Sequence, residues 1–522
     1  MEIDLDQVAA RTEPFRSRVC IIGAGIAGLT LAHRLGHQGI DVALLEAGGH
    51  ALDQQHLLTA QLTGVPHLGT LEGRFRALGG ASRRWGGQIL PIRNEAVHPA
   101  WPIAASELEP FYPAAEKILA VDSLPYEAAS FFTAAQIPTP PLLGQLPSLD
   151  ARLSKWAPFT RRNMARTIGR GLLNHPHATI YLHAQATELL LDPMRDRIAA
   201  VLVRTLAGHT VRFEASHFIL AAGTVETSRL LLASRSVAPE GVGNMHDQVG
   251  RNFHDHLTLP AATITGPARG FLLQQLRPWR LRSTQHSLKL QASTQLRNRL
   301  NLNPILAHIT LQEPEDSGFA IVRDILASRQ RENLASTLGK HAAKLPTALV
   351  QAFRLALEAR LHHRLFISKT TAVTLRLNAA QDAPSTSRIT LSNVLDPFGL
   401  PQPIVDWRVS GNEIQSFCTF AAHLRNQLEA GGISEGIDWQ PGLFNPGIAL
   451  TNLDDARHAM GGACMGLNPA TSVVDSNLTV HGLINLSIAG PSVFPGGCPQ
   501  LPTLTMMALA LRLAGRLVQQ AS

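Results

Sequence analysis

Near the N-terminus, two wholly apolar runs flank a glycine-rich turn and an amphipathic stretch. Residues 19–22 and 42–45 are apolar throughout and predict two buried parallel strands. The amphipathic stretch between them predicts a helix that ends at Leu35, joined to the first strand by Gly23-Ala24-Gly25-Ile26-Ala27-Gly28. This order of strand, turn, helix and strand is typical of a dinucleotide-binding unit.

The glycines of this turn have separate physical roles. Gly23 permits a tight turn, Gly25 lets backbone N–H groups approach a pyrophosphate, and Gly28 lets the helix pack closely against the strand. A phosphate there meets the free N–H groups and the favourable dipole of a helix N-terminus. Glu46 follows the second strand, at the position expected to bind ribose hydroxyls. The unit predicts a dinucleotide and leaves NAD and FAD both open.

Short strands continue the pattern in the next part of the chain. Residues 179–184 predict one strand, and residues 199–203 with 211–213 predict a hairpin. Residues 217–224 predict a further apolar strand that ends in small residues and precedes a helix. Small residues such as Ala222 at a strand end let a flat group approach the backbone.

Residues 76–88 combine glycine pairs with polar and aromatic positions. The pairs at 79–80 and 86–87 bracket a segment that ends in Trp85. This composition predicts a loop whose backbone contacts a ligand. A surface turn is the alternative, but a Trp in such a turn is costly to leave in water.

A second periodic pattern lies between residues 345 and 365. Large apolar residues recur there every fourth position, which predicts an amphipathic helix: Leu345, Leu349, Phe353, Leu357, Leu361 and Leu365. We expect the apolar stripe to pack on the domain core and the basic flanks to face solvent. The alternative is a helix that lies on an anionic membrane surface or docks an electron-accepting partner.

Length and composition indicate a globular protein. A chain of 522 residues predicts roughly two domains, which can interleave. It is 45% hydrophobic and 16% charged, with a mean hydropathy of +0.04. Four scattered cysteines indicate neither a zinc site nor a disulfide framework. The acidic N-terminus and the lack of a long apolar run predict a cytoplasmic protein.

The basic charge of the chain is regional. The net charge is +7, yet 16 Lys and Arg against 6 Asp and Glu give residues 269–369 alone a charge of +10. Because this segment has no interleaved aromatic residues and no nucleic-acid module, we expect no nucleic-acid partner.

The last quarter of the chain completes a set of ordered motifs. It contains the blocks at residues 457–466, 485–495 and 502–505. With the N-terminal unit, these blocks and the motifs at 79–88, 220–229, 249–256 and 387–392 resemble the glucose-methanol-choline (GMC) family of flavoprotein oxidoreductases. The similarity is closest to its bacterial pyranose-oxidase-like and sugar-dehydrogenase-like branch, whereas residues 269–369 have no clear counterpart.

The resemblance implies an α/β fold in which a Rossmann-type FAD-binding domain interleaves with an α+β substrate domain of antiparallel sheet plus helices. Residues 17–265 would form mainly the FAD-binding domain. Residues 266–445 would form mainly the substrate domain, with a basic helical insert. Residues 446–522 would complete the FAD domain and the active site.

The resemblance also implies the cofactor and the residues that contact it. The cofactor is FAD, and the implied contacts are Gly23, Gly25, Gly28, Glu46, Gly79, Gly80, Ser82, Trp85, Gly87, Gln88, Ala186, Ala222, Gly490, Pro502 and Thr503. Some relatives tether the flavin covalently through a His just before the Trp of the loop. Arg84 occupies that position here, so we expect noncovalent FAD.

His458 matches the general base of the family by position. Transfer of a hydride from an alcohol carbon to flavin N5 requires the hydroxyl to lose its proton in the same step or just before. A neutral imidazole suits this role at physiological pH. The expected reaction is therefore oxidation of a sugar-like or other small alcohol to an aldehyde or ketone.

The second catalytic position departs from the family pattern. Relatives have Asn or His directly before the final Pro-Thr, whereas this chain has Leu501, which forms no side-chain hydrogen bond. Three alternatives stay open: Gln500 fills the role after a one-residue shift of the turn, the role is unfilled, or an apolar pocket suits another substrate.

Three further histidines carry no expected catalytic role. We interpret His481 as a turn residue, and His254 and His256 as structural hydrogen-bonding groups near the surface of the FAD domain. No metal is expected.

The sequence leaves the reaction partners partly open. The electron acceptor is O2, a quinone or another acceptor, so the sequence does not separate an oxidase from a dehydrogenase. The alternatives are a non-redox or catalytically divergent flavoprotein, lyase-like or with structural FAD, and a membrane-surface or partner-binding module that uses residues 269–369.

Overall fold

The computed structural model describes residues 1–8, 12–52, 59–93, 99–315, 317–329, 334–445 and 453–521. In chain order the strands are β1 (Glu2–Asp4), β2 (Phe15–Ile22), β3 (Val42–Leu45), β4 (Gln61–Gly64), β5 (Gln88–Ile89), β6 (Leu149–Trp156), β7 (Ala178–Leu182), β8 (Gln185–Leu191), β9 (Ile198–Arg204), β10 (Thr210–Leu220), β11 (His256–Ile264), β12 (Trp279–Leu281), β13 (Thr284–Ala292), β14 (Ile305–Gln312), β15 (Ala372–Ala380), β16 (Arg388–Leu395), β17 (Pro401–Trp407), β18 (Ile437–Trp439), β19 (Asp454–Asp455) and β20 (Leu486–Ile488).

The helices are α1 (Ile26–Gly36), α2 (Leu68–Glu72), α3 (Tyr112–Leu119), α4 (Ala128–Ala135), α5 (Leu142–Gln145), α6 (Arg170–Leu172), α7 (Thr224–Ala233), α8 (Gly266–Leu276), α9 (Thr294–Leu300), α10 (Gly318–Arg329), α11 (Leu334–His341), α12 (Leu345–Leu361), α13 (Gly411–Ala430) and α14 (Pro502–Ala521).

The first sheet forms around the N-terminal strands. Its order is β1-β7-β3-β2-β10-β9-β8, with β20 also paired to β10. Strands β1, β7, β3, β2, β10 and β20 are parallel to one another, whereas β9 is antiparallel to both β8 and β10. The interior half of β2 and all of β3 are buried, as their apolar runs predict. Helices α1 and α14 pack against each other beside this sheet.

Strand β10 contains both the second strand of the predicted hairpin and most of the strand predicted after it. Strand β10 runs without a break from Thr210 to Leu220, whereas the sequence predicted separate strands at 211–213 and 217–224. The polar residues between them do not interrupt the strand, because its ladder with β2 continues from Phe213 to Leu220. Prediction of two strands was therefore wrong in this detail.

A second, antiparallel sheet lies beside the first. Its order is β18-β11-β15-β14-β13-β6-β5, with β12 paired to β13 and β19 paired to β11. Helix α13 packs against β14 and β15, and helix α4 packs against β6. A small third sheet, β16-β17-β4, packs against α7. The mixed α/β architecture with a parallel and an antiparallel sheet confirms the predicted fold class.

The two large sheets interleave along the chain. Strands β5, β6 and β11 of the second sheet all precede residue 266, and the strands of the first sheet resume only at β20. The assignment of 17–265, 266–445 and 446–522 to separate roles stays a prediction. Within the described ranges, no helix is long and apolar enough to span a membrane.

The apolar stripe of the basic segment faces outward. Helix α12 confirms the predicted helix, and it packs against α10 through small residues such as Ala348. Leu349 is 68% exposed, Phe353 68% and Leu361 62%. The expectation that the stripe packs on the core was wrong, because the alanine-rich side of the helix forms the interface instead.

Candidate active site

A cavity of about 280 Å³ opens at the carboxyl ends of β2, β3 and β10. Ligands of open α/β sheets bind at this edge, where strands end and helices begin. The cavity is lined by residues 22–27, 45–47, 69, 73–76, 80–81, 184–186, 221–226, 229–230, 400, 457–459, 489–491, 502–503 and 506. Segments from the whole length of the chain therefore meet in one site.

The N-terminal glycines build the floor of this cavity. Gly23 has φ +106°, a conformation that favours glycine, and its N–H donates to the Leu45 carbonyl over 2.8 Å. A Cβ added at Gly25 would meet nothing within 4 Å, so the backbone at the start of α1 faces open space. A Cβ at Gly28 would lie 1.9 Å from the Gly23 carbonyl oxygen. Gly25 thus leaves room for a ligand, whereas Gly28 serves packing.

Glu46 lies buried at the end of β3 and lines the cavity. Its carboxylate accepts hydrogen bonds from the N–H groups of Ala24 (3.1 Å) and Gly48 (2.9 Å). Burial raises the pKa of this carboxyl, and the two N–H donors partly oppose the rise. These bonds fix the carboxylate beside the glycine turn.

Several other predicted cofactor contacts also reach the cavity. Each belongs to a different segment, and the lining includes Gly80, Ala186, Ala222, Gly490, Pro502 and Thr503. The small residues at the end of β10 leave space next to the backbone, as expected for a flat ligand. Pro502 and Thr503 begin α14, so the start of this helix forms part of the wall.

The rest of the 79–88 loop supports the cavity from behind. Ser82 is buried, where its hydroxyl donates to the Gly79 carbonyl and accepts from the Met164 N–H. Trp85 donates its indole N–H to the Arg162 carbonyl over 2.8 Å.

Two residues at the end of the same loop also contact protein. The Gly87 carbonyl accepts from the Ala157 N–H, and Gln88 donates to the Ser154 hydroxyl over 2.6 Å. Gly79, Ser82, Trp85, Gly87 and Gln88 are not among the lining residues. Their roles as cofactor contacts stay predictions.

A chain of ion pairs at the cavity, in which Arg229 is buried and the other members are half-buried, was not predicted from the sequence. Arg74 pairs with Glu226 over 2.7 Å, Glu226 pairs with Arg229 over 3.1 Å, and Arg229 pairs with Asp396 over 2.7 Å. Arg74, Glu226 and Arg229 line the cavity. Only the spacing of Glu226 and Arg229 on α7 could have indicated part of this chain.

His458 lies on the rim of the cavity, partly exposed. Its backbone N–H donates to Asp255 Oδ2 over 2.7 Å. Its Nδ1 atom is buried and meets no hydrogen-bond partner among the described residues. The ring stands edge-on to that of His256, with the centroids 5.3 Å apart. The imidazole is therefore held at its backbone and keeps free nitrogen capacity.

Asp255 organises the protein behind His458. One carboxylate oxygen accepts from the His256 N–H, and the other accepts from His458 N–H and His67 Nε2 (3.1 Å). His67 Nδ1 in turn accepts from the Thr70 N–H over 2.9 Å, which leaves Nε2 to donate. Both Asp255 and His67 are fully buried. This pair was missed because its partners are almost 200 positions apart.

The electrostatics of this cluster favour a neutral imidazole. Burial lowers the pKa of His458, and the carboxylates of Asp255 and Asp455 oppose this only in part. Burial acts to raise the pKa of Asp255, but the hydrogen bond from His67 and the surrounding imidazoles outweigh it and hold the pKa below its ordinary value. An ionised Asp255 thus stands behind a neutral His458.

Gln500 lies next to the cavity but is not among its lining residues. It is fully buried, and its Nε2 donates to Gln291 Oε1 over 2.7 Å. Its Oε1 is buried without a partner in the described structure. Leu501 is half-buried between Gln500 and the cavity-lining Pro502. The catalytic role of Gln500 stays a prediction.

The three histidines without an expected catalytic role differ in burial, since His481 is only half-buried. His254 and His256 are buried, so their expected position near the surface was wrong. His254 Nδ1 contacts the Asn252 carbonyl over 2.7 Å, which agrees with a structural hydrogen bond. His481 Nε2 contacts the Ser472 hydroxyl over 3.0 Å.

The residues present fit FAD. The open space at Gly25 lies at the N-terminus of α1, where free N–H groups favour a pyrophosphate. Glu46 stands beside it at the strand end, and Ala186 and Ala222 offer flat backbone surfaces in the same cavity. These features suit an extended dinucleotide with one end near His458.

Comparison with known proteins agrees with this geometry. The N-terminal GMC oxidoreductase profile matches residues 157–258, and the C-terminal one matches residues 383–510. A pyridine nucleotide-disulphide oxidoreductase profile matches residues 17–98. These matches cover the glycine turn, the Asp255 segment and the His458 block.

Individual proteins are similar over long stretches. The 6'''-hydroxyparomomycin C oxidase of Streptomyces lividus is 24% identical, over 95% of this chain and 90% of its own. The fructose dehydrogenase large subunit of Gluconobacter japonicus is 26% identical, over 65% of this chain and 52% of its own. The crystal structure of a formate oxidase has a TM-score of 0.60 at 17% identity, covering 98% of this chain and 99% of its own.

Proposed function

The chain belongs to the GMC oxidoreductase family and is an FAD-dependent enzyme that acts on CH–OH groups; we propose that it oxidises a sugar-like alcohol with His458 as the general base. Fructose dehydrogenase is named for a sugar, and the Streptomyces oxidase for a hydroxy compound. We extend this substrate class to the present chain. The product is the corresponding aldehyde or ketone.

One observation carries the proposal. His458 lines the same cavity as the glycine turn, its ring is partly exposed there, and its backbone is held by Asp255. A neutral imidazole at the rim can accept the proton of a substrate hydroxyl. General base assistance of this kind contributes about 10²–10⁴ to the rate.

The protein's part in the reaction is positioning and proton transfer. When bound, FAD supplies the acceptor for the hydride that leaves the alcohol carbon. The backbone at Gly25, the Glu46 carboxylate and the start of α14 would hold it. Asp255 fixes the main chain at His458, so the imidazole is already positioned for the substrate hydroxyl. The final electron acceptor is O2, a quinone or another acceptor.

Anaerobic reduction of the enzyme-bound flavin tests the proposal. A library of sugars and small alcohols is mixed with the holoenzyme, and loss of the yellow flavin colour is followed over time. We expect at least one alcohol to bleach the flavin, and His458→Ala to slow bleaching about 10²–10⁴-fold. His246→Ala, at an exposed histidine away from the cavity, is the matched control.

The same experiment separates the alternatives. A non-redox flavoprotein, lyase-like or with structural FAD, would stay yellow with every alcohol in the library. A His458→Ala enzyme that bleaches at the wild-type rate would remove His458 as the base while leaving alcohol oxidation in place.

The attachment of the flavin is tested separately. Arg84 follows Arg83 at the end of a short 3₁₀ turn, and its guanidinium lies 5.8 Å from the centre of the Phe75 ring. An arginine cannot form the bond that a tethering histidine forms. Acid precipitation is expected to leave all flavin in the supernatant, and flavin in the pellet would overturn noncovalent binding.

We further propose that the outer face of α12 contacts an anionic membrane surface. Leu349, Val350, Phe353, Leu357 and Leu361 form an exposed apolar stripe, each at least 43% exposed. Residues 269–369 have a net charge of +10, so the basic surroundings complement acidic lipid headgroups. The cytoplasmic location stays a prediction, and a peripheral contact is compatible with it.

Vesicle sedimentation tests this contact. The holoenzyme is expected to sediment with vesicles that contain phosphatidylglycerol, to stay in solution with pure phosphatidylcholine, and to be released by salt. Phe353→Ser with Leu357→Ser should abolish sedimentation. Leu467→Ser, at a leucine that is 78% exposed elsewhere, is the control. Binding that is insensitive to salt or to the α12 changes would overturn the proposal.

A further inference from the structure

One face of the second sheet is lined by polar and charged side chains, which we call the polar wall: Thr258, Lys289, Gln291, His308, Arg376 and Asn378. Residues directly opposite on neighbouring strands share a face of the sheet. Thr258 pairs with Asn378, and His308 pairs with Arg376. Gln291 pairs with Leu306, which itself pairs with Asn378. One ladder step beyond the Leu290–Ala307 pair, Lys289 lies opposite His308.

The two faces of this sheet differ in kind. The alternate residues of the same strands, among them Leu257, Leu290, Ala307 and Leu377, belong to an apolar core. The polar wall lies on the opposite face, and its residues are not among those that line the cavity, but two contacts connect it to the candidate active site. Its Gln291 is bonded to Gln500, two residues before the cavity-lining Pro502. His256, two residues before Thr258 on β11, stands against His458.

Lys289 is the most unusual member of the wall. Its side chain is only 6% exposed. Within the described part of the chain, no carboxylate forms an ion pair with it and no acceptor forms a hydrogen bond with it. Burial alone lowers its pKa to about 7. A lysine buried without an acid is costly for a fold to keep unless a ligand uses it.

Other wall residues also hold unused hydrogen-bonding atoms. Arg376 contacts Thr258 Oγ1 over 3.3 Å, and its Nε is buried without a partner in the described structure. The same is true of His308 Nδ1 and Asn378 Oδ1. Burial lowers the pKa of His308, and the nearby charges of Lys289 and Arg376 lower it further. The nitrogen-bearing side chains of Lys289, His308 and Arg376 therefore lie close together.

The acids around the wall do not neutralise it. Asp150, opposite Gln291 on β6, is paired with Arg93 over 2.9 Å. Asp454 acts on the pKa of Arg376 but forms no ion pair with it among the described residues. The residue opposite Lys289 on β6 is Arg152, a further cation whose partner is Glu127. The wall thus has an excess of positive charge.

We propose that the polar wall is an anion-binding subsite, and that the alcohol substrate carries a carboxylate or phosphate held by Lys289 and Arg376. This inference rests on the proposed alcohol oxidation and names its substrate class. The anion would supply the acceptors that these side chains lack. Charge-assisted hydrogen bonds of this kind are about twice as strong as neutral ones.

The spacing of the strands sets the size of such a substrate. Lys289 on β13 and Arg376 on β15 are separated by β14, so their main chains lie about 10 Å apart. Both side chains are long enough to converge on one anion near His308. From β11, which is close to His458, to the middle of this pair is again about 10 Å. A compound the size of a sugar acid or sugar phosphate spans that distance.

A binding experiment without turnover tests the subsite. Binding of acetate and of inorganic phosphate to the holoenzyme is measured by titration calorimetry. Lys289→Met keeps the length of the side chain and removes its charge, whereas Lys289→Arg keeps the charge. We expect at least one anion to bind, Lys289→Met to weaken it tenfold or more, and Lys289→Arg to restore most of the affinity. Lys369→Met, at an exposed lysine, is the control.

A turnover experiment distinguishes the two anions and the two proposals. Flavin bleaching is compared for glucose, glucuronate and glucose 6-phosphate, which differ in the group at one end, and for other alcohols in the same three forms. We expect the acid or the phosphate to give a kcat/KM at least tenfold above that of its neutral form. This preference should vanish in Lys289→Met and in Arg376→Met.

The outcomes are separable. Equal kcat/KM values for neutral and anionic forms, or anion binding that Lys289→Met leaves unchanged, would overturn the anion subsite. Bleaching by neutral alcohols that depends on His458 would then still support alcohol oxidation. Anion binding without any bleaching would keep the subsite and count against oxidation. Melting of Lys289→Met at or above the wild-type temperature verifies that the variant is folded.

Discussion

The cofactor cavity, which His458 lines, and the polar wall, whose strand β11 also carries His256 against His458, are built from different kinds of residue. The cavity is made by backbone and small residues, and its most informative position, Gly25, works because it has no side chain. The wall is made by long side chains, and its most informative position, Lys289, matters because its ammonium group meets no acid in the described structure. Holding an invariant cofactor requires space, whereas selecting a substrate requires chemical groups.

This difference predicts opposite responses to mutation. Adding a side chain in the cavity should impair FAD binding and leave anion binding at the wall unchanged. Removing a charged group from the wall should impair anion binding. The stability of the fold should follow neither rule.

Gly25→Val adds a side chain where the cavity is open. A Cβ at this position meets no protein atom within 4 Å, so the fold tolerates the change while FAD loses space. Overpacking of this kind costs about 1–3 kcal/mol, which is roughly a 5- to 150-fold loss of FAD affinity. Fluorescence titration of the flavin measures it.

Gly28→Ala is the matched control for that change. Its Cβ would lie 1.9 Å from the Gly23 carbonyl oxygen, so the apoprotein itself should melt at a lower temperature. If Gly25→Val lowers the melting temperature of the apoprotein and Gly28→Ala does not, the division of roles between the two glycines is wrong.

Asp255→Asn weakens the hydrogen bonds that hold the backbone of His458. Its two carboxylate oxygens accept three N–H groups, and an asparagine amide would turn a donor towards some of them. We expect kcat to fall by about tenfold, or about 1.4 kcal/mol of transition-state stabilisation, with FAD still bound. Asp438→Asn, at the exposed edge strand of the second sheet, is the control.

A readout beyond rate identifies Asp255 as a positioning residue. Its carboxylate raises the pKa of His458, so the acid limb of the pH–rate profile should move to lower pH in Asp255→Asn. A lower kcat with an unmoved acid limb would indicate a merely structural role.

Lys289→Met should stabilise the fold while it impairs anion binding. The pKa of Lys289 is about 7 in the folded protein against an ordinary value of 10.5, so the unfolded chain binds more protons between these values. The stability of the wild type therefore rises with pH across that window. The destabilisation caused by burying the charged Lys289 side chain is fully present below pH 7. We expect Lys289→Met to be more stable than the wild type at pH 6 and to lose this gain towards pH 10.5. Thermal melts at several pH values measure it, with Lys369→Met as the control.

The pH dependence of the wild type is the smallest effect. His458 acts as a base only when neutral, and burial lowers its pKa below the ordinary 6.5. The value of kcat/KM should therefore stay near its plateau as the pH falls to 6.5 and decline only below it. An acid limb centred above pH 6.5 would contradict this assignment of the base.

The cofactor half was predictable because its residues are constrained locally. Gly23, Gly25 and Gly28 must lie at fixed spacing between a strand and a helix, and Glu46 must follow the next strand. The structure brings Gly23, Gly25 and Glu46 to the cavity, with Gly28 packed behind them. His458 needed the family resemblance, since a single histidine has no local pattern.

The wall was not predictable because its pattern has two meanings. Thr374, Arg376 and Asn378 alternate with Val373, Leu375 and Leu377, as they would on any strand with one face in solvent. The sequence alone does not show whether the polar face of such a strand meets solvent or lines a cleft. The stripe of α12 failed for a related reason, since periodicity marks an apolar face without saying which face the neighbouring helix prefers.

The meeting of the two ends of the chain has a consequence for synthesis. The glycine turn is made first, whereas Gly490, Pro502 and Thr503 on the cavity rim and the helix that packs on α1 are made much later. A ribosome-bound chain therefore has an incomplete nucleotide site until α14 has been synthesised and released. Flavin binding has to wait for this helix, and a chain cut short before α14 would lack the flavin colour.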